Sequence, residues 1–351
     1  MANKIAFVNN KGGSGKTTTT TNIAGAIHQL NPNKKILIFD VDAQANAGRQ
    51  FGINANADID NNKNAYHIFR HEIKPENAVT HTKIENIDMI TGGIELNLFE
   101  YDEICDAEND GMYNVQAVTH MANDYAREFA RKMLLDTINE IKDNDYDIAS
   151  IDGDNLSTLS SVQLAPHFKE YFNQKNNLKY NNRSNQYFSQ INGLIEHIDK
   201  QYDFILFDTP PDLHSATNSV MSVADQIIIP FAPDTFSLDG INNIIEQYHW
   251  IKDNFNSNLR IGGLLATQYR KRTVLHSSIL IALIDFANKN HIPYFTTRIP
   301  NSTKIASATS INNVPATLSV NPNHISKVNK PIQSYYDLVH EMEDKKIINL
   351  K

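Results

Sequence analysis

The sequence predicts an α/β fold, a mostly parallel sheet flanked by helices, and three observations carry that prediction. Short apolar runs recur at Ile5-Ala-Phe-Val8, Ile36-Leu-Ile-Phe39, Phe204-Ile-Leu-Phe207, Gln226-Ile-Ile-Ile229 and Ile261-Gly-Gly-Leu-Leu265. They are continuous rather than alternating, as in strands buried on both faces. Stretches of helical spacing separate them, which parallel connections require. The first run also leads through a glycine loop directly into a helical pattern.

In chain order, Ile5–Val8 is the first strand, residues 9–18 form the loop, and Thr18–Leu30 is the first helix. Ile23, Ala26, Ile27 and Leu30 fall on one side of that helix. The second strand, Ile36–Phe39, ends on an acidic cluster. The rhythm then breaks: residues 100–198 are acidic and Asn-rich, with the low-complexity run from Asn173 to Asn182. This stretch reads as a largely helical insertion within a single domain spanning 1–351. Val115, Val118, Met121, Tyr125, Phe129, Met133 and Ile138 recur there at the spacing of a long amphipathic helix, suited to core packing or to a partner groove. The strand pattern resumes at Phe204.

Bulk properties exclude several classes. The chain has 351 residues, 41% of them apolar, and a formal charge of −8, ordinary for a water-soluble protein. Cys105 is the only cysteine, so neither an internal disulfide nor a Cys-based metal site is available. The thirteen histidines show no metal-ligand spacing such as H-x-x-x-H apart from chance, and no metal is assigned to them. No signal-like leader and no run of about 18 apolar residues occurs, so the expectation is a cytoplasmic protein without a membrane span. Charge is unevenly placed: from Leu259 to Lys351, twelve Lys or Arg stand against five Asp or Glu. A basic end on an acidic chain suits a polyanion or a solvated surface.

The loop Asn9-Asn-Lys-Gly-Gly-Ser-Gly-Lys-Thr-Thr18 lies between strand and helix, where a phosphate cradle belongs. Gly12, Gly13 and Gly15 let the backbone fold around phosphate oxygens and aim its N–H groups at them. Ser14 and Thr18 complete the cradle, Lys16 reaches the terminal phosphates and the Thr17 hydroxyl suits Mg²⁺. The glycine of the usual pattern is replaced by Asn10, and Lys11 stands beside it. In this form the segment resembles the deviant Walker A loop of the ParA/MinD family of P-loop ATPases. Lys11 matches that family's signature lysine, which implies an ATP-dependent homodimer in which Lys11 reaches the partner's phosphates.

Two carboxylate motifs extend the resemblance. Phe39-Asp-Val-Asp-Ala-Gln44 is similar to the family's D-x-D-x-Q motif, which implies that Asp42 positions the hydrolytic water and Asp40 supports the metal shell. Tyr202-Asp-Phe-Ile-Leu-Phe-Asp-Thr-Pro-Pro211 resembles its Walker B strand, which implies that Asp208 holds Mg²⁺. Tyr146–Asp152 has a similar outline but lacks both the fully apolar strand and the proline turn.

Thr267-Gln-Tyr-Arg-Lys-Arg-Thr-Val-Leu275 and Ile299-Pro-Asn-Ser-Thr-Lys304 resemble the family's segments that touch DNA. Arg270, Arg272 and Lys304 are the cations this match assigns to non-specific DNA, and Pro300 borders the nucleotide. Asn301 replaces the family's arginine after Ile-Pro, and Ser307 its later glutamate. The resemblance covers about residues 1–98 and 198–340. It implies a DNA partition ATPase for a plasmid or chromosome, closest to ParA of the Soj type, without room for an N-terminal helix-turn-helix domain. ATP and Mg²⁺ are the implied cofactors, with a weak intrinsic rate stimulated by a ParB-like centromere-binding adaptor, at the nucleoid. Alternatives are MinD-like positioning on a membrane or of a protein cargo, and a ligase similar to dethiobiotin synthetase. The mixed charge from Tyr335 to Ile348 speaks against membrane docking.

Overall fold

Strands β1 (Asn3–Phe7), β2 (Ile36–Asp40), β3 (Thr80–His81), β4 (Ile87–Ile90), β5 (Phe204–Asp208), β6 (Gln226–Phe231) and β7 (Arg260–Ala266) form one sheet, ordered β3-β4-β2-β5-β1-β6-β7. All pairings are parallel except β3 with β4. The computed structural model describes residues 1–54, 63–98, 193, 195–213, 215–235, 237–271, 273–305, 307, 313–325 and 329–351. They belong to a unit made of Met1–Glu100 and Tyr187–Lys351. The predicted insertion helix, the Tyr146–Asp152 segment and Arg272 lie outside the described residues.

Why the strand sequences lack alternation is visible in the burial. Ile5 and Phe7 point into one apolar layer with Ile38 and Leu206, whereas Ala6 and Val8 point into the other with Phe39 and Phe207. Helices cover both layers, so each strand position needs an apolar side chain. The first layer is closed by α1 (Lys16–Leu30) and by the C-terminal helix Lys330–Asp344. The second is closed by Ser215–Val223, Ser237–Asn254 and Val274–Lys289.

The described helices are numbered in chain order: α1; α2 (Asn46–Gln50); α3 (Ala65–Phe69); α4 (Pro75–Ala78); α5 (Ser215–Val223); α6 (Ser237–Asn254); α7 (Val274–Lys289); α8 (Lys330–Asp344). The one-sided burial expected of α1 is not what folds. Every residue from Thr19 to Ile27 is buried, polar and apolar alike, and Leu30 only partly. The helix is enclosed by the sheet, by α8 and by the short 3₁₀ turn Ala316–Ser319. Two of its threonines satisfy their hydroxyls within the helix: Thr20 donates to the Lys16 carbonyl at 3.0 Å and Thr21 to the Thr17 carbonyl at 2.9 Å.

Strand register sets the site. Asp40 at the end of β2 lies opposite Asp208 at the end of β5, and β5 pairs in turn with β1. Both carboxylates therefore emerge beside the loop after β1, at the carboxyl edge where parallel sheets place their ligands.

Candidate functional site

The loop between β1 and α1 is held from below by Asn9. Its side-chain amide donates to the Pro230 carbonyl at 2.6 Å, and its Oδ1 accepts from the Lys11 backbone N–H at 2.8 Å. Gly13 and Gly15 adopt φ of 73° and 85°, values that L side chains rarely take. A Cβ added at Gly12 or Gly13 would meet nothing within 4 Å, so the concave side of the loop faces open space. Helix α1 starts at Gly15 with no side-chain cap and no acidic residue in its first turn. Its first N–H groups are thus served by no capping side chain, and the helix dipole favours an anion there.

Lys16 is buried, with Nζ donating to the carbonyls of Asn9 at 2.9 Å and Lys11 at 3.4 Å. Burial lowers its pKa, while Asp208, Asp42 and Asp212 pull it back up. Of these carboxylates Asp42 and Asp208 are buried, as is Asp40, which lies opposite Asp208. Asp40 accepts from the backbone amides of Asp42 at 2.9 Å and Ala47 at 3.1 Å, yet its burial and the neighbouring Asp208 push its pKa well above the usual range. Asp42 accepts from the Gln44 amide at 2.9 Å and is also raised, chiefly by burial.

Asp208, like Asp40, is fully buried. Both of its oxygens are buried and neither has a hydrogen-bond partner. Burial raises its pKa to about 7; the nearby Thr17 hydroxyl, short of a full hydrogen bond, and Lys16 favour its charged form. The buried Ser14 hydroxyl is likewise without a partner. Unsatisfied polar atoms of this kind are costly in a folded chain, by about 1–3 kcal/mol each.

These observations test a nucleotide and a metal directly. An open glycine cradle at a helix N-terminus fits a polyphosphate. A carboxylate cluster with one buried ammonium and two orphan oxygens fits a divalent cation. Among the described residues no group of three or more His, Cys, Asp or Glu side chains forms a closed metal cage. A cation here would share its shell with phosphate and water, the habit of Mg²⁺. ATP with Mg²⁺ satisfies both halves of the site.

The predicted loop residues from Lys11 to Thr18 come together with Asp40, Asp42 and Asp208. Lys11 lies at the rim, its ammonium paired with the carboxylate of Asp234 just before α6. Asp234 is set in place by Ser237, whose hydroxyl donates to it at 3.2 Å and whose Oγ accepts from its backbone N–H at 3.1 Å.

Three contributors escaped the sequence reading. Asp212, one residue beyond the proline turn, acts on both Lys16 and Asp42. Thr267 Oγ1 donates to the Ser14 carbonyl at 2.7 Å, and the Gln268 amide donates to the Gly13 carbonyl. The end of β7 thereby clamps the phosphate loop. The only sequence signal was the closeness of Thr267 to a basic segment, which drew attention to the arginines instead.

The sequence matches the AAA_31 family, an AAA domain, over residues 2–165 and 155–261, and that match includes the loop and both carboxylate strands. The chain belongs to this family of ParA/MinD-type ATPases. It is 26% identical over 349 residues to a ParA family protein of Mycoplasma genitalium, covering 99% of this chain and 97% of that one. It is 22% identical over 310 residues to the sporulation initiation inhibitor protein Soj of Bacillus subtilis, covering 88% of each. Among solved structures, cobyrinic acid a,c-diamide synthase from Mycobacterium smegmatis with bound ATP analog and magnesium superposes with a TM-score of 0.60. That likeness covers 98% of this chain and 96% of the other at 17% identity, and concerns the fold alone.

Of the residues matched to DNA, this ParA/MinD-type chain exposes Arg270 and Lys304. Pro300 is partly buried and forms an isolated parallel bridge with Tyr269. Among the described residues, no helix is long and apolar enough to cross a membrane.

Proposed function

We propose that this protein is a DNA partition ATPase, one domain over 1–351, whose ATP-bound homodimer coats DNA without reading its sequence. The observation that carries the reading is the division of labour between two lysines. Lys16 is buried inside the cradle, whereas Lys11 stands at its rim on a surface ion pair. A lysine so placed can leave its own loop and reach a second copy.

In this reading the backbone amides of Gly12–Thr18 and Lys16 hold the phosphates, and Thr17 and Asp208 hold Mg²⁺. The cation, when bound, neutralises phosphate charge and draws electron density from the bond that breaks. Asp42 accepts a hydrogen bond from the attacking water and orients it. Asp40 has given both oxygens to backbone amides, so it supports the shell by fixing Asp42 and the start of α2. Lys11 of the partner copy supplies positive charge to the transferring group, the part an arginine finger plays elsewhere. Arg270, Arg272 and Lys304 meet DNA phosphates, and a ParB-like centromere-binding adaptor stimulates a slow intrinsic turnover. Such a protein would collect at the nucleoid.

The membrane alternative is disfavoured by α8. Its apolar face, Ile332, Tyr335, Tyr336, Leu338, Val339 and Met342, is buried against the sheet with α1 and is not available to lipid. Retention on non-specific DNA at low salt, with ATP, ADP or no nucleotide, is the test. ATP alone should produce retention. Equal retention in all three conditions would overturn the reading, as would ATP-dependent sedimentation with anionic vesicles. Turnover with a small carboxylate or amine substrate, without DNA, would place the chain among ligases.

A further inference from the structure

Beyond β7 the chain continues as a two-segment ribbon. Tyr269 N–H donates to the Ile299 carbonyl at 2.9 Å, and Asn301 N–H donates to the Tyr269 carbonyl at 3.0 Å. This pairing brings Arg298 onto Tyr269: the guanidinium carbon lies 5.1 Å from the ring centroid, and Nη1 lies 3.5 Å from the phenol oxygen. Tyr269 is itself fixed on its other side. Its hydroxyl is 3.3 Å from Ser277 Oγ, and its ring centroid is 6.2 Å from that of His276, whose Nδ1 accepts from the Arg270 N–H. The approach to Arg298 is anchored as well, because Thr296 and Thr297 donate their amides to Glu341 on α8 at 2.8 and 2.9 Å.

Four exposed cations therefore border one ribbon or lie close to it in sequence: Arg270, Lys271, Arg298 and Lys304. Among the described residues none of the four has a carboxylate within 4.0 Å. On a chain of net charge −8, a group of exposed cations without a carboxylate partner among the described residues suits an external anion. Arg298 alone could be a stacking residue that covers the tyrosine, a contact worth about 0.5–1 kcal/mol at an exposed site. Stacking, however, uses the flat face of the guanidinium. Arg298 is exposed and gives only Nη1 to the Tyr269 hydroxyl, and a guanidinium carries five N–H donors, so donors remain for a phosphodiester oxygen.

We propose that Arg298 is a DNA phosphate contact, supplying from the 298–304 segment the cation that Asn301 does not. The inference rests on the DNA reading above and extends it to a residue which that reading did not include. A guanidinium held by a ring and a stiff approach is suited to phosphates at fixed positions. A fluid layer of lipid headgroups gains little from such fixing.

The test is ATP-dependent DNA retention measured against salt for the wild-type chain, Arg298→Gln, Arg298→Lys and the double variant Arg298→Gln, Asn301→Arg. Each phosphate contact contributes about 0.9 to the slope of log affinity against log salt. Arg298→Gln should lower that slope by about 0.9, and Arg298→Lys should keep it. The double variant should restore it by placing an arginine on the other arm of the same turn. A melting temperature within about 2 °C of wild type identifies each variant as folded. A wild-type slope in folded Arg298→Gln would assign Arg298 to stacking only. Should that variant fold poorly, Arg298→Met keeps the apolar stem without the charge, and a folded Arg298→Met with the wild-type slope would overturn the proposal equally. Absence of ATP-dependent DNA retention in the wild type would instead sink the underlying reading, and binding to anionic vesicles in place of DNA would overturn both.

Discussion

The Thr267 hydroxyl donates to the Ser14 carbonyl at 2.7 Å, so a side chain at the end of the sixth parallel strand fixes a peptide in the middle of the phosphate loop. Thr267 is 2% exposed, and a Cβ at Gly15 would already lie 3.4 Å from it. The contact is both a hydrogen bond and a packing limit. Thr267→Val keeps the shape and removes only the donor. Leaving a buried carbonyl unpaired costs about 1–3 kcal/mol. Chemical denaturation should show a loss of that size, and titration with a fluorescent ATP analogue should show weaker binding. Unchanged values in both would mean that water replaces the hydroxyl without loss.

Lys11→Ala separates stability from catalysis. The Lys11 and Asp234 side chains are 45% and 33% exposed, and an ion pair that wet contributes about 0–1 kcal/mol. The variant should melt close to wild type and still bind ATP, since Lys16 remains in the cradle. Phosphate release should fall by about 10³-fold, the lower end of what a charge supplied in trans contributes. Loss of ATP binding in calorimetry would contradict the proposed role of Lys11.

Asp208→Asn should improve the empty protein while disabling the loaded one. The carboxylate is fully buried with both oxygens unpartnered, an arrangement that costs stability until a cation meets it. An amide at this place carries no charge, so the nucleotide-free variant should unfold at equal or higher denaturant concentration than wild type. The rise in melting temperature that MgATP gives wild type should disappear. A variant less stable than wild type without nucleotide would show that Asp208 already has a compensating partner.

Much of this arrangement could be read before folding, for reasons that lie in particular residues. The five strand cores, from Ile5 to Leu265, are written as continuous apolar runs because both faces of each strand are covered. The loop was legible because glycine, lysine and threonine must stand in a fixed order to cradle phosphate. The edge strand β3 and its neighbour β4 were missed: Thr80–His81 is two residues long, and Ile87-Asp-Met-Ile90 is interrupted by Asp88, whose carboxylate accepts from the Tyr202 hydroxyl at 2.8 Å. Thr267 and Gln268 were missed because they act through single hydrogen bonds more than 250 positions away in sequence. No local pattern encodes such a pair.

Gly25 illustrates a residue whose sign only packing decides. In the middle of α1 an alanine should be favoured over glycine by about 1 kcal/mol. A Cβ there, however, would lie 2.4 Å from Thr317 Oγ1 and 2.9 Å from Leu318 Cγ. Thr317 is held in place by its hydroxyl and amide, which donate to the Asn22 carbonyl and side chain at 3.0 Å each. Overpacking costs about 1–3 kcal/mol, and displacing Thr317 removes a hydrogen bond worth about 1 kcal/mol more. Gly25→Ala should therefore destabilise the protein by about 1–3 kcal/mol in denaturant unfolding. The penalty should shrink when Thr317→Ala is added, since the two sites touch. A stabilised Gly25→Ala variant would mean that the 3₁₀ turn shifts away freely.

Glu341 gives a stability effect with a defined pH window. Burial raises its pKa, but the amides of Thr296 and Thr297 outweigh that and hold the carboxylate below the usual value of 4.5. A folded-state pKa lowered relative to the unfolded chain stabilises fully above 4.5, and the contribution fades as pH falls through the folded value. Hydrogen bonds to a charged acceptor reach about 1.5–3 kcal/mol when buried; Glu341 is partly solvated, which places it near the lower end. Glu341→Gln should thus cost about 1–2 kcal/mol at pH 7, read from urea unfolding, because a side-chain amide offers one acceptor where two backbone donors wait. As the solution is acidified below 4.5 the wild-type carboxyl takes up a proton and loses the same advantage, so the two unfolding curves should converge. A difference that stayed constant from pH 7 to pH 3 would assign the contribution of Glu341 to packing between α8 and the 296–297 segment rather than to its charge.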